Sequence, residues 1–254
     1  MSVAEALRAP LAQSAARQSG AQGMRRVAVM QPYLFPYLGT FQLARQVDRF
    51  VFYDDVTFIK QGYINRNTVL VDGQPRPMTA PVRNISSFRH IVQHDYVGDW
   101  KPLLALLQRA YANAPYFEPV YDFVQRALLD ADENVARKNA RCFAAVFAYL
   151  GLPFDHGFSS TMEIAPDLRA SARVRAVCRA ERAGMYVNAI GGRALYEAGE
   201  FAQDGMALRF CTMRPLRYTQ AAEEFVPYLS ILDALMQCPP ASVVALLDEC
   251  DLVA

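Results

Sequence analysis

The stretch VAVMQPYLFPYLGTFQLARQVDRFVFYDD, residues Val27 to Asp55, decides the fold of this chain. A short apolar run, Val27 to Met30, reaches a turn broken by Pro32 and Pro36. The spacing then predicts a helix over about Gly39–Val47 and a second buried strand over Phe50–Tyr53, which stops on the acidic pair Asp54-Asp55. Two buried-strand patterns around one helix make a βαβ unit, so the strands run parallel and the fold is α/β. In open parallel sheets ligands sit beyond the carboxyl ends of the strands. Here those ends are Gln31–Tyr37 and Asp54-Asp55, both dense in polar and aromatic groups.

Outward from this unit, Val56–Asn67 has no helical period and reads as a loop leaving the sheet. Thr68–Val71 and Pro77–Val82 flank Asp72-Gly73, a dipeptide suited to a hairpin turn. Arg83–Gly98 reads as irregular, with a short extended piece near Ile91–Gln93. From Asp99 the apolar period becomes helical, and three helices follow with no strand between them: about Asp99–Ala112, Glu118–Leu129 and Asn134–Leu150. The strand–helix rhythm then returns with strands at Phe154–Phe158, Met185–Ala189 and Ala207–Cys211, and an arginine-rich helix over Leu168–Ala183. Helices at Leu229–Met236 and Ala241–Cys250 close the chain. The expectation is a Rossmann-like, mostly parallel sheet of about five strands with a β-hairpin and an inserted helical subdomain at about 99–150.

Composition narrows the class. At 53% hydrophobic and 20% charged, the chain of 254 residues can bury a substantial core. A net charge of +1 supplies no basic field, so nucleic acid is not an expected partner. No apolar run approaches the roughly 18 residues that span a bilayer, so membrane insertion is not expected either. The five cysteines are widely spaced with no C-x-x-C, which reads as reduced thiols in a cytoplasmic protein. His90, His94 and His156 are too scattered to propose a metal cluster. Residues 1–23 lack a signal-peptide core and read as a flexible tail, or as an upstream extension of a chain initiated at Met24.

The candidate site follows from chemistry at the strand ends. Asp54 and Asp55 offer a base or metal ligand, although adjacent strand residues point to opposite faces. Asn65-Arg66-Asn67 combines two amides with a planar guanidinium matched to phosphate or carboxylate. Gln31, Tyr33 and Tyr37 can read a substrate through amide and hydroxyl groups, and Gly39 allows close approach at the helix start. Ser159-Ser160 reads as a helix cap or a substrate contact, and Gly191-Gly192 as a turn or a phosphate cradle. Arg173 reaches the ligand edge if it faces inward; the other arginines of its helix read as solvated surface. The residues themselves name no cofactor and no oligomeric state.

Several motifs together resemble one family. QPYLFPYLG, FVFYDDVTF, Asn65-Arg66-Asn67, Thr79–Val82, Tyr111–Phe117, the Leu-Gly-Leu-Pro run at Leu150, Phe158–Ser160, the Tyr186 segment and FVPYLSILDAL (Phe225–Leu235) are similar, in order, to the WbqC-like family. The resemblance covers about Met24 to the C-terminus, so residues 24–254 are expected to form a single WbqC-like α/β domain. It implies a role in bacterial surface-polysaccharide (O-antigen) biosynthesis, with transfer of a glycyl, aminoacyl or similar acyl group to a nucleotide- or carrier-linked sugar. Many relatives carry Trp before the Asn-Arg-Asn, a His after the Trp of the first insertion helix, and Ser-Gly after the Tyr186 strand. Here those places read Gly62-Tyr63-Ile64, Trp100-Lys101-Pro102 and Asn188-Ala189-Ile190-Gly191-Gly192, so no catalytic histidine is expected at that helix. The competing expectation is a non-catalytic binder of a small molecule or partner that uses the same pocket.

Overall fold

Strand β1 (Arg26–Met30) sends Ala28 to one face of the sheet and Val27 and Val29 to the other, and all three are buried. Strand β2 (Arg49–Phe52) repeats the alternation, with Phe50 and Phe52 on the first face and Val51 on the second. In the computed structural model, which describes residues 24–254, these strands pair in parallel, Val27 with Arg49 through Met30 with Phe52. The expectation for the tail at 1–23 lies outside the described residues. Helix α1 (Leu38–Arg45) joins the two strands.

The sheet continues with β5 (His156–Phe158), β6 (Met185–Ala189) and β7 (Ala207–Met213), all parallel, and an antiparallel edge strand β8 (Cys250–Val253). The spatial order is β5-β2-β1-β6-β7-β8. Counting the parallel strands along the chain gives 3-2-1-4-5, the doubly wound order whose direction reverses between β1 and β6. The ladder of β1 with β6 ends after Arg26↔Met185 and Val27↔Tyr186, whereas its ladder with β2 runs on to Met30.

Helices cover both faces. Helix α5 (Ala170–Ala180) places Val174, Val177 and Cys178 on the second face, with Phe201 of α6 (Ala198–Gln203) beside them. The first face carries α1 and the run α2 (Lys101–Tyr111), α3 (Phe117–Leu128) and α4 (Val135–Tyr149). Phe143 of α4 stacks on Phe41 at 4.1 Å and on Phe50 at 5.3 Å, which ties the helical run to α1 and β2. Burying each such ring contributes about 2 kcal/mol, and a ring pair about 1 kcal/mol more. The C-terminal helices α7 (Ile231–Gln237) and α8 (Pro240–Asp248) close the same core.

Three expectations need correction. The closing helix stops at Asp248, and Cys250–Val253 forms a sixth strand. A four-residue run has little local preference, and pairing with β7 decides its state. Ile91–Gln93 is a 3-10 turn, not an extended piece; the backbone N–H of His90 donates to Gln93 Oε1 at 2.8 Å and closes it. The loop ends at Asn65 rather than Asn67: Arg66 opens β3 (Arg66–Val71), which pairs with β4 (Gln74–Thr79). The hairpin turn is Asp72-Gly73 with both φ positive (52° and 72°), the two-residue geometry that favours glycine at its second place.

Candidate functional site

Asp54 and Asp55 leave the carboxyl end of β2 toward different surroundings. Asp54 is buried and organises the turn after β5: its Oδ1 accepts from the Ser160 backbone N–H at 2.9 Å and its Oδ2 from the Ser160 hydroxyl at 2.7 Å. Burial raises its pKa, and the Ser160 donors oppose that rise. Ser159 Oγ accepts from the Asp54 N–H at 3.2 Å and lies 2.6 Å from Asp55 Oδ1, a donating contact. Both serines are therefore engaged in holding the carboxylates, and among the described residues neither has a histidine partner.

Asp55 points to the α5 side of the sheet, where it forms an ion pair with Arg173. This arginine does face inward. Its Nη1 donates to Ala165 O at 3.3 Å, and its buried Nε has no partner among the described residues. Around the pair lies a cavity of about 380 Å³ lined by Tyr53, Asp55, Thr57, His90, Arg169 and Arg173, among others. Thr57 and His90 arrive together because segment 89–92 runs beside 54–58: Phe58 N–H donates to Arg89 O, and Ile91 N–H to Val56 O. Burial raises the Tyr53 phenol to about 12; Arg173 opposes this and Asp55 reinforces it. At neutral pH Tyr53 is thus a hydrogen-bond donor rather than a base.

The remaining expected residues gather elsewhere. The Pro-rich loop after β1 crosses to the other face, where Leu34 and Phe35 enter the main core. Phe35 sits in the left-handed region (φ 41°), and its carbonyl accepts from Asn67 Nδ2 at 2.6 Å and Ser230 Oγ at 2.8 Å. Asn67 Oδ1 accepts from Thr68 N–H, and Asn65 Nδ2 donates to Ala80 O at 2.8 Å. Both amides therefore serve the backbone. Arg66 projects to the opposite face of β3 from Asn67, donating from Nε to Gly62 O at 3.2 Å; no carboxylate of the described residues pairs with it. The triplet does not converge on one ligand. Asn139 of α4 fixes the same loop from below: its Nδ2 donates to Pro32 O and Ile64 O, and its Oδ1 accepts from the Tyr96 hydroxyl.

Tyr33 and Tyr37, by contrast, do face a cavity. With Pro36, Tyr63, Asn67 and Tyr228 they wall a cleft of about 160 Å³. The Tyr33 hydroxyl donates to Gln31 Oε1 at 3.3 Å, and Gln31 itself does not line the cleft. The structure therefore splits the expected set. Asp54, Asp55, Ser159 and Ser160 meet at the ends of β2 and β5, while Gln31, Tyr33, Tyr37, Asn65, Arg66 and Asn67 belong to the loop and hairpin. Gly191-Gly192 lies in a 3-10 turn (Ile190–Leu195), where Gly192 leaves room for the Asn188 side chain.

Sequence reasoning missed Tyr53, His90 and Arg169 in the charged pocket, and Tyr63 and Tyr228 in the cleft. Tyr63 stood in a quoted departure and Tyr228 within FVPYLSILDAL, but only the fold sets them beside Tyr33 and Tyr37. His94 is buried and structural; its Nε2 accepts from Ser86 N–H at 3.1 Å, Nδ1 lies 2.8 Å from His90 O, and burial lowers its pKa. Among the described residues no three His, Cys, Asp or Glu side chains are grouped to hold a metal ion, the five cysteines are free and buried, and no helix is long and apolar enough to cross a membrane.

Comparison with known proteins adds a family. The model of the WbqC-like protein family matches residues 31–245. The chain is also similar to Uncharacterized protein Rv1507c of Mycobacterium tuberculosis (strain ATCC 25618 / H37Rv), at 27% identity over 217 residues, or 84% of this chain and 93% of the relative. No solved structure matches.

Proposed function

The chain belongs to the WbqC-like protein family, and from that premise we propose that it is a cytoplasmic transferase of bacterial surface-polysaccharide (O-antigen) biosynthesis. It would attach a glycyl, aminoacyl or similar acyl group to a nucleotide- or carrier-linked sugar. One observation carries this reading: an Asp55–Arg173 pair, with Arg169, Tyr53 and His90, faces a cavity at the carboxyl end of a central parallel strand. Arg169 and Arg173 both line the pocket, so a phosphate or carboxylate entering it meets guanidinium groups, the side chain best matched to such anions. Asp55 then stands as the acceptor for the proton released when the sugar's hydroxyl or amine attacks the acyl carbon and the acyl donor's carrier, such as a thiolate, leaves with the electron pair of the broken bond. The anion-holding role, expected at Arg66, falls in this reading to Arg173 and Arg169.

A second reading, a non-catalytic binder, draws on the engagement of Ser159 and Ser160 with the two aspartates. That leaves no activated nucleophile at the pocket, and a transferase here works by positioning and one base. Thermal-shift screening separates the readings, using nucleotide-sugars, nucleoside triphosphates, acyl-CoA thioesters and amino acids, with and without magnesium. A ligand at a hundred times its Kd stabilises by about 2.7 kcal/mol. Wild type should respond to an anionic substrate and Arg169→Ala should lose most of that response. Asp55→Asn should bind the same compound without transferring the acyl group. An equal response in Arg169→Ala places the site elsewhere, and a change in affinity alone across all variants and substrates favours the binder.

A further inference from the structure

The cleft of Tyr33, Tyr37, Tyr63 and Tyr228 has no part in the chemistry at Asp55, and its construction is of another kind. Its walls are phenol rings and Pro36, with Asn67 the single amide, held at both ends by backbone groups of Phe35 and Thr68. The rings come as two edge-to-face pairs: Tyr33 with Tyr63 at 6.5 Å and 67°, and Tyr37 with Tyr228 at 5.9 Å and 73°. Each pair thus offers a ring face beside a ring edge. Tyr63 and Tyr228 nevertheless stand 65% and 70% exposed, which is unusual for rings placed around a concavity. Tyr228 also holds a left-handed backbone (φ 59°), as Phe35 does in the core behind the Pro-rich loop; bulky side chains adopt it at a cost of roughly 1–3 kcal/mol, and such residues cluster at ligand sites.

We propose that this cleft binds the flat ring of a pyrimidine nucleotide, stacked on the exposed faces of Tyr63 and Tyr228. The inference rests on the transferase reading only for the nucleotide's role as part of a sugar donor or acceptor; the binding itself does not need it. Three features select the occupant. A cleft of about 160 Å³ is close to the roughly 150 Å³ that accepts one benzene-sized ring, so one six-membered ring occupies it and the second ring of a purine would extend into solvent. A pyranose carries polar groups around most of its rim, more than the phenol hydroxyls alone can satisfy, and the sole amide is already engaged. An organic cation, with no carboxylate lining the cleft, would gain only about 0.5–1 kcal/mol per exposed ring, less than a stacked base gains. A heteroaromatic ring needs only faces inside and water or phenol hydroxyls at its rim.

The test titrates the whole protein with uridine, cytidine, adenosine and methyl glucoside by ligand-observed NMR or calorimetry. Because nucleosides lack phosphate, they probe the cleft without the arginine pocket. Uridine or cytidine should bind, with adenosine about tenfold weaker or more and methyl glucoside silent. Base stacking on one aromatic ring is worth about 1–3 kcal/mol, so Tyr63→Ala and Tyr228→Ala should each weaken pyrimidine binding at least fivefold. Both side chains are exposed enough for folding to survive their loss, and Tyr63→Phe should keep affinity within about threefold. No pyrimidine binding, equal binding in both alanine variants, or a glucoside signal lost in Tyr63→Ala overturns the assignment. A nucleotide-sugar run beside them, in wild type and Arg169→Ala, tells the two readings apart. If nucleosides fail but an Arg169-dependent response persists, only the cleft assignment falls; if both fail, both fall.

Discussion

The tyrosine cleft and the Asp55–Arg173 pocket leave the same edge of the sheet from neighbouring strands, yet they are built from opposite materials. The pocket gathers charge: an ion pair, a second arginine, a histidine and a phenol held in its donor form. Its donors exceed the partners that the protein itself supplies. The cleft gathers faces: four tyrosines whose shape is fixed by amides, Asn67 and Asn139, that bond the backbone of the Pro-rich loop. Charge makes a site that is sensitive to a missing partner, and shape makes one that is sensitive to a displaced support. Substitutions should expose that difference.

The largest effect is expected at Asn139, beneath the cleft. Its amide donates to Pro32 O and Ile64 O and accepts from the Tyr96 hydroxyl inside the core. Asn139→Ala orphans Pro32 O and weakens the other two, which keep the Leu34 N–H on Ile64 O at 3.1 Å and the Tyr96 hydroxyl 3.5 Å from Ile64 O. One orphan and two lost bonds should together remove about 3–4 kcal/mol of stability, read from urea unfolding. In the protein that still folds, pyrimidine binding should fall while the response to anions at the pocket survives. Equal loss of both would mean the two regions are one mechanical unit.

Next comes the pocket's own support. Arg173→Ala leaves the Asp55 carboxylate largely buried without its guanidinium, for a loss of about 3 kcal/mol. Adding Asp55→Asn removes the stranded charge, and the double variant should recover most of that loss. Non-additivity near 2 kcal/mol in the double-mutant cycle marks a true pair, and simple additivity denies it. Nothing comparable exists in the cleft, where Tyr63→Ala should cost under about 1 kcal/mol.

Asp54 and Asp55 refine the contrast within two residues. Burial raises the Asp54 pKa above its unfolded value, so the folded state holds this proton at pH values where the unfolded chain has released it. Stability from Asp54 is therefore present below the ordinary carboxylate range and is lost as pH rises through the folded pKa. Asp54→Asn should flatten that slope when urea midpoints are compared between pH 5 and pH 7.5. An unchanged slope would assign the pH dependence to other groups.

How far the sequence reached depends on how far apart the contributing residues lie. Val27–Asp55 carries its period, its prolines and its terminal aspartates locally, so the βαβ unit and the first half of the pocket were legible. Asp72-Gly73 announced the hairpin by turn chemistry. Cys250–Val253 was not legible, because four residues acquire strand geometry only from β7. Asn65-Arg66-Asn67 misled for a related reason: polar residues read as loop, but their amides satisfy carbonyls of Ala80 and Phe35 that only the fold brings near. The cleft was half visible, since Tyr33 and Tyr37 are local to the Pro-rich turn, while Tyr63 and Tyr228 come from segments with no period of their own.

The smallest change in stability should give the sharpest test of shape. A Cβ on Gly39 would lie 2.4 Å from Tyr37 Cε2 and 2.8 Å from Met213 Sδ, so Gly39→Ala must push the Tyr37 ring. Alanine in the first turn of α1 gains roughly 0.5–1 kcal/mol over glycine, which offsets much of the crowding. The melting temperature should therefore move little, in either direction. The ring that is pushed, however, is a wall of the cleft and the edge-to-face partner of Tyr228. Pyrimidine affinity should drop at least fivefold, while anion binding at the arginine pocket stays at its wild-type level. If affinity holds, Tyr37 is only a packing residue at the start of α1, and the stacking faces are those of Tyr63 and Tyr228 alone.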